Sequence, residues 1–384
     1  MSSTAVTSFH SPDWIGCGKR FPNPTPRAIA NALKELLAIP QEAAGDIPPI
    51  HQPLAGLMDE TLPSFSTNPA IAHRYSPEQA DFDPCNARHL PVPDISIILE
   101  LESSVGQAWF DGKKSFVLPH VAKRSLPFWL INYWFQISPA MRTARSCRKA
   151  IDWCKSISIA DEDMTFFWGL SWGSPVRWAT GGGQFPTEKL KRLLGHRWIC
   201  DDTVGAMLRL LQNDIDLAQP RHKILVETPS FAGEFKLDQG FYRTYSKKQA
   251  RHLFACGEKL ASGALNTIYY PLNVGGCHWV AIIIDIPGKK LLYGDSLNGP
   301  EPTAHFALVR QWLAKHDITG LSASPTMHTT QDDSVSCGIV CVNTMAHHAI
   351  QAPLWQRSHK DRTQYDWFRR IVEAHMLRPK PARV

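Results

Sequence analysis

The stretch from His278 to Gly299, HWVAIIIDIPGKKLLYGDSLNG, constrains this chain more than any other. Two apolar runs, His278–Ile286 and Leu291–Asp295, flank the dipeptide Pro287-Gly288. Runs rich in β-branched residues favour strands and Pro-Gly favours reversal of the chain, so the stretch predicts an antiparallel hairpin. A strand as apolar as VAIII belongs in a core, and the flanking segments supply material to cover it. Asp201 or Asp202 caps a helix in which Val204, Met207, Leu208 and Leu211 follow helical spacing. Further helices are predicted over Gln249–Ala261, Pro302–Lys315, Cys337–Ile350 and Asp361–Met376, and further strands over Thr267–Leu272 and near Leu321–Met327. The expected architecture is an α+β domain over residues 183–377, followed by a basic tail, 378–384.

The rest of the chain has a different composition. At roughly 150 residues per domain, 384 residues suggest about two domains. Prolines crowd the first hundred residues, in runs such as FPNPTP and IPPIHQP. Proline fragments helices and central strands, so residues 1–104 are expected to be extended or weakly ordered, apart from one short helix near 27–38. Residues 105–182 are rich in tryptophan. The segment FVLPHVAKRSLPFWLINYWFQI alternates strand-like apolar runs with prolines. So many aromatics need burial, which predicts an ordered accessory region of unassigned role. Gly181, Gly182 and Gly183 provide a break before the α+β domain.

Composition narrows the function classes. With 43% hydrophobic and 20% charged residues the chain has the balance of a globular protein, so global disorder is not expected. No run approaches the roughly 18 apolar residues of a membrane span. The opening MSSTAVTSFH has neither the charged nor the apolar region of a secretory signal, so secretion is not expected. Nine cysteines, an odd number, fit reduced thiols in the nucleus or cytoplasm better than a disulfide scaffold. No CxxC pair exists, so no metal site and no cofactor is expected. The net charge of +6 admits an acidic protein or a nucleic acid as partner without pointing to either.

Four residues in the α+β domain carry chemistry together. Cys337 opens the helix GIVCVNTMAHHAI, and a thiol at a helix N-terminus has its thiolate favoured by the helix dipole. Cys341, one turn later, reads as a small buried hydrophobe. His278 heads the first hairpin strand and can take the thiol proton and later protonate a leaving amine. Asp295 ends the second strand, at the same end of the hairpin, and can orient the imidazole. Gln331, in the loop before Cys337, can offer an amide N–H to an oxyanion. Each has a bland alternative when taken singly: a buried thiol, a structural histidine, a loop cap, a loop glutamine. Asp332 and Asp333 are a liability in the same loop, because nearby negative charge opposes a thiolate unless it is directed to solvent.

The order HW, DS, Q-x5-CG resembles the ubiquitin-like-protein-specific cysteine proteases, the SUMO (sentrin) proteases and their adenovirus protease relatives. The run GDSLNGP is similar to that family's strand-end sequence. RWICDDTV, Arg197–Val204, is similar to its W-L-x-D entry motif. The resemblance implies a papain-like fold with a central mixed sheet flanked by helices. It implies Cys337 as nucleophile, His278 as base, Asp295 as orienter and Gln331 in the oxyanion hole. It also implies that Trp198 and Trp279 line the channel for a substrate's Gly-Gly tail. The expected activity is maturation or deconjugation of a ubiquitin-like modifier, SUMO foremost. The alternatives are a modifier-binding module without turnover and an acetyltransferase on the same fold.

Overall fold

The computed structural model describes residues 15–16, 18–49, 51–67, 73–119, 121–122, 124–171, 187–235, 245–248 and 250–377. The glycine break at Gly181, Gly182 and Gly183 and the tail 378–384 lie outside the described residues. The chain divides into two compact units, Met1–Arg148 and Lys149–Val384. Neither 104/105 nor 182/183 is a boundary in this division. Apolar residues on both sides of position 104 share one core, in which Ile97, Ile98 and Leu101 join Phe116, Leu126 and Trp134.

In the first unit the prolines start helices rather than break up structure. Pro26, Pro40 and Pro53 directly precede helices α1 (Arg27–Leu36), α2 (Gln41–Ala44) and α3 (Leu54–Asp59). The fixed φ of proline suits helix entry, and its missing N–H is one that the first turn would leave unpaired. Helix α4 (Ile95–Phe110) begins at Asp94, whose carboxylate accepts from the Ser96 N–H at 2.9 Å. The described part of residues 1–104 is therefore folded, against the extended region expected. Strands β1 (Arg74–Ser76), β2 (Ser115–Val117) and β3 (Leu126–Pro127) form a small antiparallel sheet. The aromatic run after Pro127 is helical, not strand-like, and opens α5 (Trp129–Ser156). Leu130, Trp134, Ile137, Met141 and Ala144 recur at helical spacing and are all buried, a period the alternation with prolines concealed.

The second unit holds the short helix α6 (Thr165–Trp168) and a five-stranded mixed sheet. Its strands are β4 (Ile224–Val226), β5 (Thr267–Val274), β6 (His278–Asp285), β7 (Lys290–Gly294) and β8 (Ser322–Pro325), in that spatial order. The central pairs β5–β6 and β6–β7 are antiparallel, and the outer pairs β4–β5 and β7–β8 are parallel. The predicted hairpin is β6–β7. Among the described residues the unit also has helices α7 (Asp201–Ala218), α8 (Arg251–Ala261), α9 (Thr303–Ala314), α10 (Cys337–Ile350) and α11 (Lys360–Met376). Strand alternation divides β6 between two layers. Val280, Ile282 and Ile284 join Leu253 and Leu260 of α8 and Phe306 and Trp312 of α9 in one core. Helix α10 packs on β6 and on α7. Helix α10 also comes close to β7: a Cβ at Gly294 would lie 2.6 Å from Thr344 Cγ2. Near the start of the unit, Asp163 O accepts from the hydroxyl of the buried Tyr365 at 3.0 Å, and Phe167 meets Phe368 with ring centroids 5.5 Å apart. Among the described residues, no helix is long and apolar enough to cross a membrane.

Candidate active site

Two turns and one helix start bring the predicted residues together. Strands β5 and β6 are joined through Gly275, Gly276 and Cys277, with Val274 opposite His278. Gly275 and Gly276 have φ of +63° and +76°, which L side chains rarely adopt, and this tight reversal fixes where His278 emerges. In the β6–β7 register Ala281 faces Gly294, so Asp295 leaves β7 beside the first residues of β6. Cys337 is the first residue of α10 and is 1% exposed.

His278 Nε2 lies 2.6 Å from Asp295 Oδ1. That leaves Nδ1 for the hydrogen bond with Cys337. The hydrogen bond with Asp295, then the one with Cys337, outweigh the burial that works against charge and push His278 up to about 9 from its ordinary 6.5. Burial alone would raise Asp295. Hydrogen bonds from His278 and from the backbone N–H groups of Leu297 and Gly299, with the imidazolium charge, prevail and hold it below the usual carboxylate range. A side chain at 299 would collide with the Asp295 carboxylate, so glycine there lets the backbone close over it.

Gln331 is buried, and both ends of its amide are engaged. Oε1 accepts from Ser296 Oγ at 2.6 Å, and Nε2 donates to Asp333 O at 2.6 Å. The second Nε2 hydrogen is left for another acceptor. Ser296, 2% exposed, was not singled out from the sequence, although it follows Asp295 directly.

Asp332 is exposed, which meets the condition set by the sequence. Asp333 is not directed to solvent. Its Oδ1 accepts from the Val335 and Ser336 N–H groups at 3.0 and 2.8 Å, and its Oδ2 accepts from Ser336 Oγ at 2.7 Å. Lys360 lies 3.7 Å away, at the start of α11. Burial works against the Asp333 charge, but these donors and Lys360 lower its pKa. Asp332 pairs with Arg357 at 3.0 Å. Each charge is thus matched locally, and Asp333 builds the turn that leads into Cys337.

Trp198 and Trp279 stack with centroids 5.8 Å apart and planes 12° from parallel. Trp279 is 2% exposed, its Nε1 donates to Ile199 O at 3.1 Å, and its Cδ1 would lie 3.4 Å from a Cβ at Gly338. It presents almost no surface to a substrate and instead backs Trp198 and the first turn of α10. Trp198 is the more exposed of the pair, and its Nε1 has no hydrogen-bond partner. Cys341 is fully buried, and burial raises its thiol far above the usual range, so it packs as an apolar side chain.

Residues 197–376 match the model of the Ulp1 protease family, C-terminal catalytic domain. The segment is a cysteine peptidase domain similar to that family's. That agrees with the fold and the enzyme class expected from the sequence. Among solved structures, the chain is similar to the SUMO protease Ulp1 with its catalytic cysteine oxidised to a sulfenic acid (17% identity, TM-score 0.43, covering 56% of this chain and 96% of that one). It is similar to the C-terminal Ulp1 protease domain in complex with Smt3, the yeast ortholog of SUMO (17% identity, TM-score 0.42, 60% and 96%). It is also similar to the Ulp1-like SUMO protease catalytic domain of Chaetomium thermophilum (12% identity, TM-score 0.43, 56% and 90%). No curated protein matches the chain. All six residues singled out from the sequence as candidate site residues lie within the segment that matches the Ulp1 family.

Proposed function

We propose that this peptidase domain hydrolyses the bond that follows the C-terminal Gly-Gly of a ubiquitin-like modifier, with SUMO the first candidate, in precursors or in conjugates. The observation that carries the reading is the buried Asp295 carboxylate 2.6 Å from His278 Nε2, with Cys337 hydrogen-bonded to the same ring. Cys337 Sγ passes its proton to His278 Nδ1 and attacks the glycine carbonyl carbon. The oxyanion that forms takes hydrogen bonds from the free Nε2–H of Gln331 and from the backbone N–H of Cys337, which no helical carbonyl claims at that position. As the tetrahedral intermediate collapses, Nδ1–H protonates the departing amine, and the C–N bond breaks to leave a thioester. Water, deprotonated at Nδ1, then attacks the thioester. The second intermediate expels the Cys337 thiolate and releases the modifier carboxylate. Asp295 keeps the ring oriented and stabilises its charged form throughout.

Trp198 covers the two residues before the cleaved bond and excludes side chains there, while Trp279 supports it from behind. The location that fits such chemistry is the nucleus or cytoplasm, where thiols stay reduced. The test is a SUMO whose terminal Gly-Gly carries an electrophile, with a ubiquitin probe in parallel. The expected result is a covalent adduct on Cys337 with the SUMO probe, absent in Cys337→Ala. Labelling of another cysteine removes Cys337 as nucleophile, and no adduct with any Gly-Gly modifier removes the substrate class.

A further inference from the structure

A second cluster of reactive side chains lies apart from the residues of the peptidase site. Glu227 follows β4, and His252 and Cys256 sit one turn apart on α8. His252 Nε2 is 3.0 Å from Glu227 Oε1, Cys256 Sγ is 3.8 Å from Nε2, and Sγ is 3.9 Å from Oε1. The three donors form a triangle of one oxygen, one nitrogen and one sulfur. A tetrahedral zinc ion with ordinary bond lengths needs edges of about 3.3 Å for N–O, about 3.6 Å for N–S and about 3.5 Å for O–S. The triangle matches this within about half an ångström.

The surroundings also fit a metal site. The other ring nitrogen of His252, Nδ1, lies 2.8 Å from Glu234 Oε1. A carboxylate on the far nitrogen is the usual companion of a metal-binding histidine, because it fixes the tautomer and aims the free nitrogen at the ion. Phe231 meets the imidazole edge to face at 5.8 Å and holds its plane. Glu227 and Cys256 are buried, while half of the His252 side chain is exposed. An ion can therefore enter past the imidazole and keep a water in its fourth position.

We propose that Glu227, His252 and Cys256 bind a zinc ion, with Glu234 as the carboxylate that orients His252. Binding releases the Cys256 thiol proton, and the Nε2 proton where the imidazole is charged, to solvent; no electrons move. The ion would join β4 to α8, two elements distant in sequence, and so stabilise the sheet edge. Cysteine spacing does not announce this site, because only His252 and Cys256 lie close together in sequence.

The experiment uses the full chain carrying Cys337→Ala, so that the peptidase thiol cannot bind metal. After chelation, reduced protein is titrated with Co²⁺ and then with Zn²⁺. The expected result is a thiolate-to-cobalt charge-transfer band saturating at one ion per chain, displaced by Zn²⁺, with a higher unfolding temperature in the zinc form. Cys256→Ser abolishes the band. His252→Gln, a half-exposed position whose folding is checked by circular dichroism, weakens binding at least tenfold. Glu234→Gln weakens it roughly 10- to 100-fold. A titration without a band, or a band unchanged in His252→Gln, overturns the proposal; in the second case the metal sits on other cysteines.

Discussion

Ser296 Oγ donates a hydrogen bond of 2.6 Å to Gln331 Oε1, and both side chains are buried. The Asp333 carbonyl, which can only accept, makes Nε2 the donor end of the amide, and the Ser296 hydroxyl anchors the other end, Oε1. Ser296→Ala frees the amide to rotate and is expected to lower kcat with little change in KM. Gln331→Ala removes the donor itself and should lower kcat by roughly 10- to 1000-fold. Steady-state kinetics on a modifier precursor checks both. Equal kcat in Ser296→Ala and the parent would show that Ser296 does not position the amide.

His278 makes the reaction and the fold depend on pH in the same direction. Below about pH 6.5 the imidazole is charged whether the chain is folded or not, and the Asp295 contact stabilises fully. From there to about pH 9 the unfolded chain loses the proton while the folded one keeps it, so this contribution declines, and above 9 it is gone. On the acid side the lowered Asp295 contributes stability above its ordinary value of 3.8, lost as pH falls through its folded value. In Asp295→Asn the largest cause of the His278 shift is absent. The basic limb of the kcat/KM profile is therefore expected to move from near 9 toward 6.5, with kcat reduced roughly 10- to 1000-fold. An unmoved limb would assign that ionisation to another group.

Asp333 can be separated from the chemistry by its effect on folding. Asp333→Ala leaves the Val335 and Ser336 N–H groups and the Ser336 hydroxyl without their acceptor. A lost helix-start acceptor costs about 0.5–2 kcal/mol, which denaturant unfolding resolves. Asp333→Asn retains the Oδ1 acceptor and should recover most of that stability while losing the Lys360 contact.

The two stacked indoles predict opposite phenotypes. Trp279 is buried, so Trp279→Ala should cost about 3–5 kcal/mol and lower the unfolding temperature sharply. Trp198→Ala should leave stability much closer to the parent, lower kcat/KM strongly, and relax the demand for glycine before the cleaved bond. Hydrolysis of modifiers ending Gly-Gly, Ala-Gly and Gly-Ala measures that demand. If the parent cuts all three equally, Trp198 does not restrict the channel.

Much of the candidate site was legible because its parts are local. Pro287-Gly288 between two apolar runs specifies the β6–β7 hairpin, and that hairpin alone brings His278 and Asp295 to one end. The apolar run behind Cys337 specifies α10. Less legible were contacts whose partners lie far apart in sequence. Strand β4 pairs with β5 across some 40 intervening residues, and three residues carry too weak a pattern to announce a strand. Trp198 and Trp279 both looked like channel residues, because a sequence shows that an indole is present but not which of two is buried. Asp333 looked like a liability because charge is visible in a sequence and the donors that satisfy it are not. The prolines of the first unit are ambiguous in sequence, because the same residue that breaks a helix in its interior is well suited to its start.

The hydrogen bond from Tyr365 to Asp163 and the packing of Phe167 on Phe368 have a practical meaning for anyone preparing a shortened version of this enzyme. Cloning boundaries set at the family match, residues 197–376, would retain every proposed catalytic residue and yet strip α11 of these partners. Tyr365 would lose the carbonyl that accepts from its hydroxyl, and Phe368 would lose the ring packed on it. Because Lys360, at the head of the same helix, reaches Asp333 in the loop before Cys337, loosening α11 would be felt at the nucleophile. An active fragment should therefore begin near Lys149, where the second compact unit begins, and a shorter one should express as a soluble but sluggish hydrolase.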